Sequence, residues 1–554
     1  MTLLRCSVRD TLVVLFVCLA VVRLGQADEL YLLGSADTMS KVFRDEPQAF
    51  SPVATLSVAA AKNEVEGIQL VVAPQGTEDL HGVTLEVSDL VSDGGASLAG
   101  THVTWNPVGY VETDKPNYPA VKVGWWPDPL LPAAAFDVPA GQWQPVWINV
   151  HVPADTPAGL YRGPITVRPA NAPHQSVMLE VRVWDFAVPA TQHVETCFPL
   201  YVEPLRKFYQ LPQVPLEMYE EWTDFCMEYR ICALLSGWPE FDRDLERLAE
   251  RQLDRGGASF CLGGAGFQQG EPEERRRHNE AVVAGLKTLY DRVKTRGWID
   301  RTYVYCHDEI GQEQYPFALE LYSELKTAMP DLRLMQTFYK DNPIPDLDDV
   351  LDVWAPNTGR YKLDEFQAQQ AKGDDVWWYV CCGPGPPFAN LMIEWPAVDH
   401  RLLLWQNWKF QVTGFLYWGL NVWRDNLDVD PRWPASPWKA ATWRNDAGEP
   451  YNGDGQLIYP GPDGKPLSSV RLENLRDGLE DYEYFWLLRD AVEQLRKADA
   501  ARHAALLVEA DKALAIDDAI VTDLTHFSQD PAAVRGARAN LAQLIEQARA
   551  ALNR

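Results

Sequence analysis

This chain is expected to fold as a multidomain all-β and α/β protein: an N-terminal β-sandwich, a central (β/α)8 TIM-like barrel and a small C-terminal helical tail. Three patterns support this. Residues 28–190 alternate apolar and polar side chains at period two between Gly and Pro breaks, as half-buried strands do. Residues 191–496 change to strand-then-helix alternation with eight strands, the count of a parallel barrel. Residues 497–554 are Ala-rich, with apolar positions at helical spacing. A chain of 554 residues also exceeds what one hydrophobic core can hold.

Residues 1–27 read as a secretory signal. Arg5 and Arg9 carry positive charge, 11–22 is apolar, and Gly25 and Ala27 are the small residues before a cut at Asp28. The apolar run is too short to span a bilayer comfortably, so the mature chain is expected to be secreted without stable membrane insertion. In the sandwich, strands are expected at 64–72 and 147–152, at 165–167 after a turn at 157–163, and where Val177, Leu179, Val181 and Val183 alternate with polar partners. Nothing there has catalytic spacing, and the unit is read as a brace for the barrel. A linker containing Pro189 follows at 186–192. The barrel strands are expected at 197–202, 231–236, 258–262, 301–306, 332–338, 350–354, 376–381 and 414–418. Helices are expected at 216–229, 242–254, 273–296, 317–328, 395–410 and 473–496. In the tail, 501–515 and 531–552 are expected to be helical, with their charged residues on solvated faces.

The fourth barrel strand runs straight into two adjacent carboxylates, Asp308 and Glu309, followed by Gly311 and a helix. In a parallel barrel the C-terminal strand ends are where catalytic groups collect. Two neighbouring carboxyl groups in a half-buried cleft do not both ionise freely; one is pushed toward the neutral acid and the other stays charged. Glycosidic bond cleavage uses that division. His307 precedes the pair and is expected to point away from it and pack.

The other strand ends are rich in aromatic and amide side chains. Trp238 follows strand two and Tyr339 strand five; Trp354 and Asn357 lie at strand six, Tyr379 at strand seven, and Trp418, Asn421 and Trp423 at strand eight. Flat aromatic faces with hydrogen-bonding groups around them suit a sugar ring, so these eight are the candidate substrate-binding residues. Tyr379 is preferred to Trp378 because it shares the inward parity of Trp377 and lies nearer the loop. The 21 Trp of the chain serve in part to fill the barrel core.

The net charge of −28 argues against nucleic acid or an anionic membrane as partner, since phosphate binding needs clustered Lys and Arg. Cys6 and Cys18 leave with the signal, and the remaining Cys lie mostly in apolar strands as small buried hydrophobes. No CxxC pair or His cluster is present, so no metal and no cofactor are expected. The acidic run Asp425 to Asp430 lacks the Gly and the distal Glu of an EF-hand and reads as a surface loop.

Several motifs together resemble glycoside hydrolase family 123. They are the Asp308-Glu309 pair, Trp378-Tyr379, the strand Gly414-Phe415-Leu416-Tyr417-Trp418, and a long block. That block runs from Leu457-Ile458-Tyr459-Pro460-Gly461 through Ser469, Arg471-Leu472-Glu473 and Arg476-Asp477-Gly478 to Glu480-Asp481-Tyr482-Glu483-Tyr484. The resemblance implies a retaining, substrate-assisted reaction on a β-linked N-acetylhexosamine such as N-acetylgalactosamine. It implies that Asp308 orients the 2-acetamido group, while Glu309 protonates the leaving oxygen and then activates water. Two other readings fit the same residues. One is a glycosidase on an unacetylated sugar with a carboxylate nucleophile, for which Asp425 and Glu394 are candidates. The other is a non-catalytic carbohydrate-binding protein.

Overall fold

The structure, a computed structural model, describes residues 30–46, 52–340, 343–426 and 438–553. The expected signal segment and the acidic residues Asp428 and Asp430 lie outside the described residues.

The N-terminal unit is two packed sheets. One orders its strands Tyr31–Ala36, Glu64–Pro74, Gln144–Val152, Val103–Glu112 and Trp125–Leu130. The other is built on Thr55–Lys62, Gln175–Ala187, Gly159–Arg168, Leu80–Val87 and Phe136–Val138. Their inward residues, among them Leu70, Val72, Ile148, Val150, Val177, Leu179, Val181 and Val183, form one core. Period-two patterning produces this arrangement because alternate strand residues point to opposite faces. Part of the segment expected to turn, from Gly159 onward, is already strand and pairs with Gln175–Ala187 in antiparallel register.

The barrel strands are β1 (Glu195–Tyr201), β2 (Ala233–Ser236), β3 (Phe260–Gly264), β4 (Thr302–Tyr305), β5 (Arg333–Phe338), β6 (Val353–Pro356), β7 (Asp375–Val380) and β8 (Gly414–Tyr417). All ladders between them are parallel, in the order β2-β1-β8-β7-β6-β5-β4-β3. Only β2 and β3 lack a ladder between them, so the barrel is nearly closed. Around it lie α1 (Leu216–Glu228), α2 (Phe241–Asp254), α3 (Pro272–Thr295), α4 (Tyr315–Ala328), α5 (Leu363–Lys372), α6 (Ala397–Lys409) and α7 (Val470–Asp499). The tail adds α8 (Ala504–Leu514) and α9 (Pro531–Leu552). Cys197, Cys261, Tyr303, Met335, Val353, Ala355, Trp377, Tyr379 and Leu416 fill the barrel interior. The Trp377 indole lies across Gly414, where any side chain would collide with it.

The sandwich, the barrel and the tail meet at a buried ion cluster. Arg401 of α6 is fully buried and bonds Glu66 of the sandwich at 3.1 Å and Asp477 and Asp481 of α7 at 3.2 and 2.6 Å. From α9, Arg538 pairs with Glu64, Glu66 and Asp481, and Arg535 with Asp37 and Glu66. The tail's charges were expected on solvated faces; these two instead turn inward, because Glu64 would otherwise be buried without a counter-charge and Glu66 and Asp481 would share Arg401 alone. A second seam joins Arg471 at the start of α7 to Asp128 of the sandwich at 2.8 Å, with Tyr459 donating to the same carboxylate.

Removing one partner of such a cluster leaves uncompensated buried charge. Arg401→Ala is therefore expected to cost about 3–5 kcal/mol, read from the denaturant midpoint of unfolding. The cluster also sets a pH dependence. Burial pushes the Asp477 carboxyl up to about 7 and the Glu480 carboxyl up to about 8. Both lie above the unfolded values near 4, so the folded state binds more protons than the unfolded one between those limits. Stability from these groups is full below about pH 4 and is lost as pH rises toward about 8. The paired change Asp477→Asn and Glu480→Gln is expected to flatten that decline; an unchanged slope in urea unfolding at pH 5 and pH 8 would contradict the assignment.

Candidate active site

Strand β4 ends at Tyr305, and the chain turns through Cys306 and His307 to place Asp308 and Glu309 at the C-terminal mouth of the barrel, both solvent-exposed. Glu309 has a φ of +45°, in the left-handed region that non-glycine residues seldom occupy. Its backbone N–H donates to Thr337 Oγ1 of β5 at 3.1 Å, which holds the turn. Such a conformation costs of order 1–3 kcal/mol and persists where surrounding contacts impose it, commonly at functional sites.

The pair is held by hydroxyl groups from three strands. Asp308 Oδ1 accepts from Tyr305 Oη at 2.8 Å and from Thr337 Oγ1 at 3.1 Å, which fixes its orientation. Glu309 Oε1 accepts from Tyr379 Oη of β7 at 2.5 Å. Partial desolvation raises the Glu309 carboxyl above its ordinary value, and the charge of Asp308 adds to the rise; the Tyr379 hydrogen bond and the charge of Lys340 oppose it. The Tyr379 hydroxyl is itself pushed far up by burial and by the neighbouring Glu309, so it acts as a donor. The result is one oriented carboxyl beside one biased toward the protonated acid, the pairing that acid-assisted bond cleavage requires.

The structure sorts the eight candidate binding residues into two groups. Tyr379 bonds Glu309, Tyr339 lies within electrostatic reach of Glu309, and Trp418 is linked to Asp308 through Tyr201. Tyr379 touches Glu309 directly. The Tyr339 hydroxyl is raised by burial first, then by Cys382, Cys381 and, more weakly, Glu309. Trp418 is half-buried at the end of β8, and its carbonyl accepts from Tyr201 Oη at 2.7 Å. The Tyr201 hydroxyl is pushed up to about 12 by burial and then by the charge of Asp308, which connects Trp418 to the pair.

The other five are packed as structure, which corrects their expected place in the cleft. Trp354 is fully buried on the helix side of β6 and donates to Asp374, because its parity is opposite to the inward Val353 and Ala355. Trp423 is fully buried and donates to Ile458 O. Trp238 stacks on Tyr219 at 4.9 Å and donates to Asp244. Asn421 spends both side-chain atoms on the backbone of Tyr201, tying β1 to the β8 loop. Asn357 holds Gly359 N–H and Gly383 O in the loops after β6 and β7. His307 packs on Phe267 with ring centroids 4.4 Å apart.

Tyr305, Thr337, Tyr201 and Asp454 contribute to the site and were not singled out from sequence. Tyr305 shares strand parity with Tyr303 three residues before Asp308, a signal that was available. Asp454 lies far along the chain in a loop, fully buried, and accepts from Tyr417, Trp418 and Trp443 at 3.1, 2.8 and 2.8 Å. It sets the Trp418 indole, and Trp443 in turn stacks on Tyr451 at 4.2 Å. Of the two carboxylates considered as nucleophiles, Glu394 is buried at the seam with the sandwich and bonded to Tyr118 and Asn452. The Asp425 side chain lies outside the described residues.

Comparison with known proteins gives the family of the chain. The family model for the glycoside hydrolase 123 catalytic domain matches residues 217–488, and that for the glycoside hydrolase 123 N-terminal domain matches residues 34–169. The chain belongs to glycoside hydrolase family 123. A family 123 glycoside hydrolase from Clostridium perfringens, whose structure was solved to study glycolipid glycan hydrolysis, shares the fold. It is 13% identical, with a TM-score of 0.67 over 94% of this chain and 98% of that one. A Bacteroides uniformis β-glucuronidase (10% identical, TM-score 0.29, 82% of this chain and 49% of that one) and a Bacteroides ovatus GH5 xyloglucanase (9%, 0.27, 81% and 99%) are far more distant. No curated protein matches the chain. Membership of family 123 makes a carbohydrate the substrate class. Among the described residues no helix is long and apolar enough to cross a membrane.

Removing the Tyr379 hydroxyl takes away a bond to the Glu309 carboxylate and should let its ionisation move still higher. Tyr379→Phe is expected to shift the basic limb of the kcat/KM profile of this family 123 chain to higher pH and to lower kcat about tenfold. A profile that keeps its limb in place would show that the contact does not set Glu309.

Proposed function

We propose that the chain is a secreted, retaining β-N-acetylhexosaminidase acting by substrate assistance, with N-acetylgalactosamine as the leading candidate sugar. The observation that carries this reading is the pair itself: an oriented Asp308 next to a Glu309 raised by desolvation, at the mouth of a family 123 barrel. In the first step the neutral Glu309 carboxyl gives its proton to the glycosidic oxygen. The oxygen of the sugar's 2-acetamido group attacks the anomeric carbon as that bond breaks, forming an oxazolinium ion. Asp308 accepts from the acetamido N–H and balances the positive charge. In the second step the Glu309 carboxylate takes a proton from water, which opens the ring from the opposite face, so configuration is retained and the acid is restored.

Substrate assistance needs no enzyme nucleophile, and the position of Glu394 supports that economy, since it is 6% exposed and engaged at the domain seam. Tyr379, Tyr339 and Trp418 supply the aromatic walls for the sugar ring. Secretion rests on the N-terminal signal pattern of the sequence.

The test is hydrolysis of aryl β-N-acetylgalactosaminide, β-N-acetylglucosaminide and unacetylated β-galactoside by residues 28–554. Release confined to the acetamido sugars is expected, with Glu309→Gln lowering kcat by roughly 10²–10⁴-fold on a substrate with a poor leaving group. Comparable release from the unacetylated galactoside would defeat the acetamido mechanism.

A further inference from the structure

Beyond the acid pair, the wall of the same cleft carries a second reactive group. Cys381 and Cys382 are adjacent at the end of β7, with their sulfurs 3.8 Å apart. All seven described cysteines are free thiols. Five of them, Cys197, Cys226, Cys232, Cys261 and Cys306, are buried, whereas Cys381 and Cys382 are both partly open to solvent. The accessible thiols of the described chain are therefore concentrated in one vicinal pair, two residues beyond the tyrosine that holds Glu309.

We propose that Cys381 and Cys382 form a thiol–disulfide exchange site that takes up low-molecular-weight disulfides, closes to a vicinal disulfide, and thereby alters the cleft. The chemistry balances with a disulfide RSSR as oxidant. One cysteine thiolate attacks a sulfur of RSSR and expels RS⁻. The neighbouring thiolate attacks the protein sulfur of the mixed disulfide and expels the second RS⁻. Two protein thiols are oxidised to one S–S bond, RSSR is reduced to two RSH, and the two thiol protons pass to the leaving thiolates.

Three features of the site give the exchange its character. The Cys381–Cys382 peptide is not among the cis bonds of the chain. Its Cα atoms are thus about 3.8 Å apart, short of the 4.4–6.8 Å that relaxed disulfides span. A ring closed there is strained and easily reopened, the property of labile rather than structural disulfides. The pair also begins a tight turn in which Cys381 N–H donates to Gly383 O at 2.9 Å. That same carbonyl accepts from Asn357 Nδ2 at 3.0 Å. Finally, the turn abuts the candidate site: Gly383 lies beside the Tyr339 hydroxyl, and Cys381 packs with Tyr379 at the top of the barrel interior. Closing the ring changes the turn that lies against both tyrosines. The Cys381 thiol is pushed up by its hydrogen bond with Cys382 and by burial, so the exchange should quicken as pH rises.

The experiment starts from the full-length mature chain reduced with dithiothreitol and freed of it. Oxidised glutathione is added to the native protein, and thiols are counted with a chromogenic disulfide reagent. Peptide mass spectrometry follows the segment containing both cysteines. The expected result is loss of two native thiols, a segment lighter by two hydrogens with no glutathione attached, and full reversal by excess reduced glutathione. Cys382→Ala should instead stop at a glutathione adduct on Cys381, released by excess reduced glutathione. A wild-type pair that keeps both thiols, or that stops at a stable glutathione adduct, overturns the site.

The effect on turnover rests on the hydrolase reading and is measured separately, on whichever aryl glycoside the reduced enzyme cleaves. Oxidation is expected to change kcat/KM about tenfold, with no response to oxidant in Cys382→Ala. Equal activity in the oxidised and reduced wild type would overturn the link to the cleft. Ring closure is read by mass alone, so it stands or falls independently of which sugar is hydrolysed.

Discussion

The Arg401 guanidinium is the contact on which the architecture depends. It is fully buried and bonds carboxylates from the sandwich and from the last barrel helix, and α9 brings two more arginines against the same acids. Ion pairs in the interior are poor sources of stability compared with well-packed apolar side chains, but they are intolerant of a missing partner. Their effect here is to fix how the three units meet. The sandwich cannot shift on the barrel without leaving Glu64 or Glu66 buried and unpaired. This also changes the meaning of the long block between Arg471 and Tyr484. Arg471 binds Asp128, Glu473 bonds Asn149 and Tyr229, and Asp477 and Asp481 bond Arg401. The block that most strongly carries the family resemblance is the joint between domains and does not line the cleft.

The barrel was legible in the sequence because its strands and helices announce themselves by period and by Gly and Pro punctuation. The observed strands lie within a few residues of the expected ones throughout. The acid pair was legible because a strand ran into it without a break. The surroundings of the pair were harder. An aromatic residue near a strand end can face the cleft or the helices, and the two choices differ by one position. Trp377 and Tyr379 face inward while Trp378 faces out and donates to Asn407. Trp354 fails as a cleft residue for the same reason. Asn421 and Asn357 fail for another: a barrel mouth leaves loop backbone groups to be satisfied, and a buried amide with one donor and one acceptor end meets that need. Sequence alone does not distinguish such an amide from one that binds sugar.

Thr337 and Asp454 show what pattern reading misses at the level of single atoms. One threonine hydroxyl on β5 serves both acids at once, accepting from the Glu309 backbone and donating to Asp308. One buried aspartate in a distant loop aims two indoles. Neither residue carries a motif. Each matters because the fold brings it to a group it is far from in the chain, and a threonine or an aspartate in a loop is otherwise among the commonest residues a sequence offers.

The clasp between α9 and the sandwich has a consequence for the order in which the molecule is made. Glu64 and Arg538 are 474 residues apart, and Glu66 and Arg535 are 469 apart. Translation delivers the sandwich first, and domains generally begin to fold as they emerge. Until α9 is made, then, Glu64 lacks Arg538 and Glu66 has only Arg401 of its three arginines, so both must keep water around them. The sandwich and the barrel can each form early, and the Arg471–Asp128 seam needs no later residue, but the surface around Glu64 is not fully paired until α9 arrives. The full set of charge pairs at this joint is thereby reserved for chains that carry α9, and a product cut short before it keeps Glu64 without its arginine.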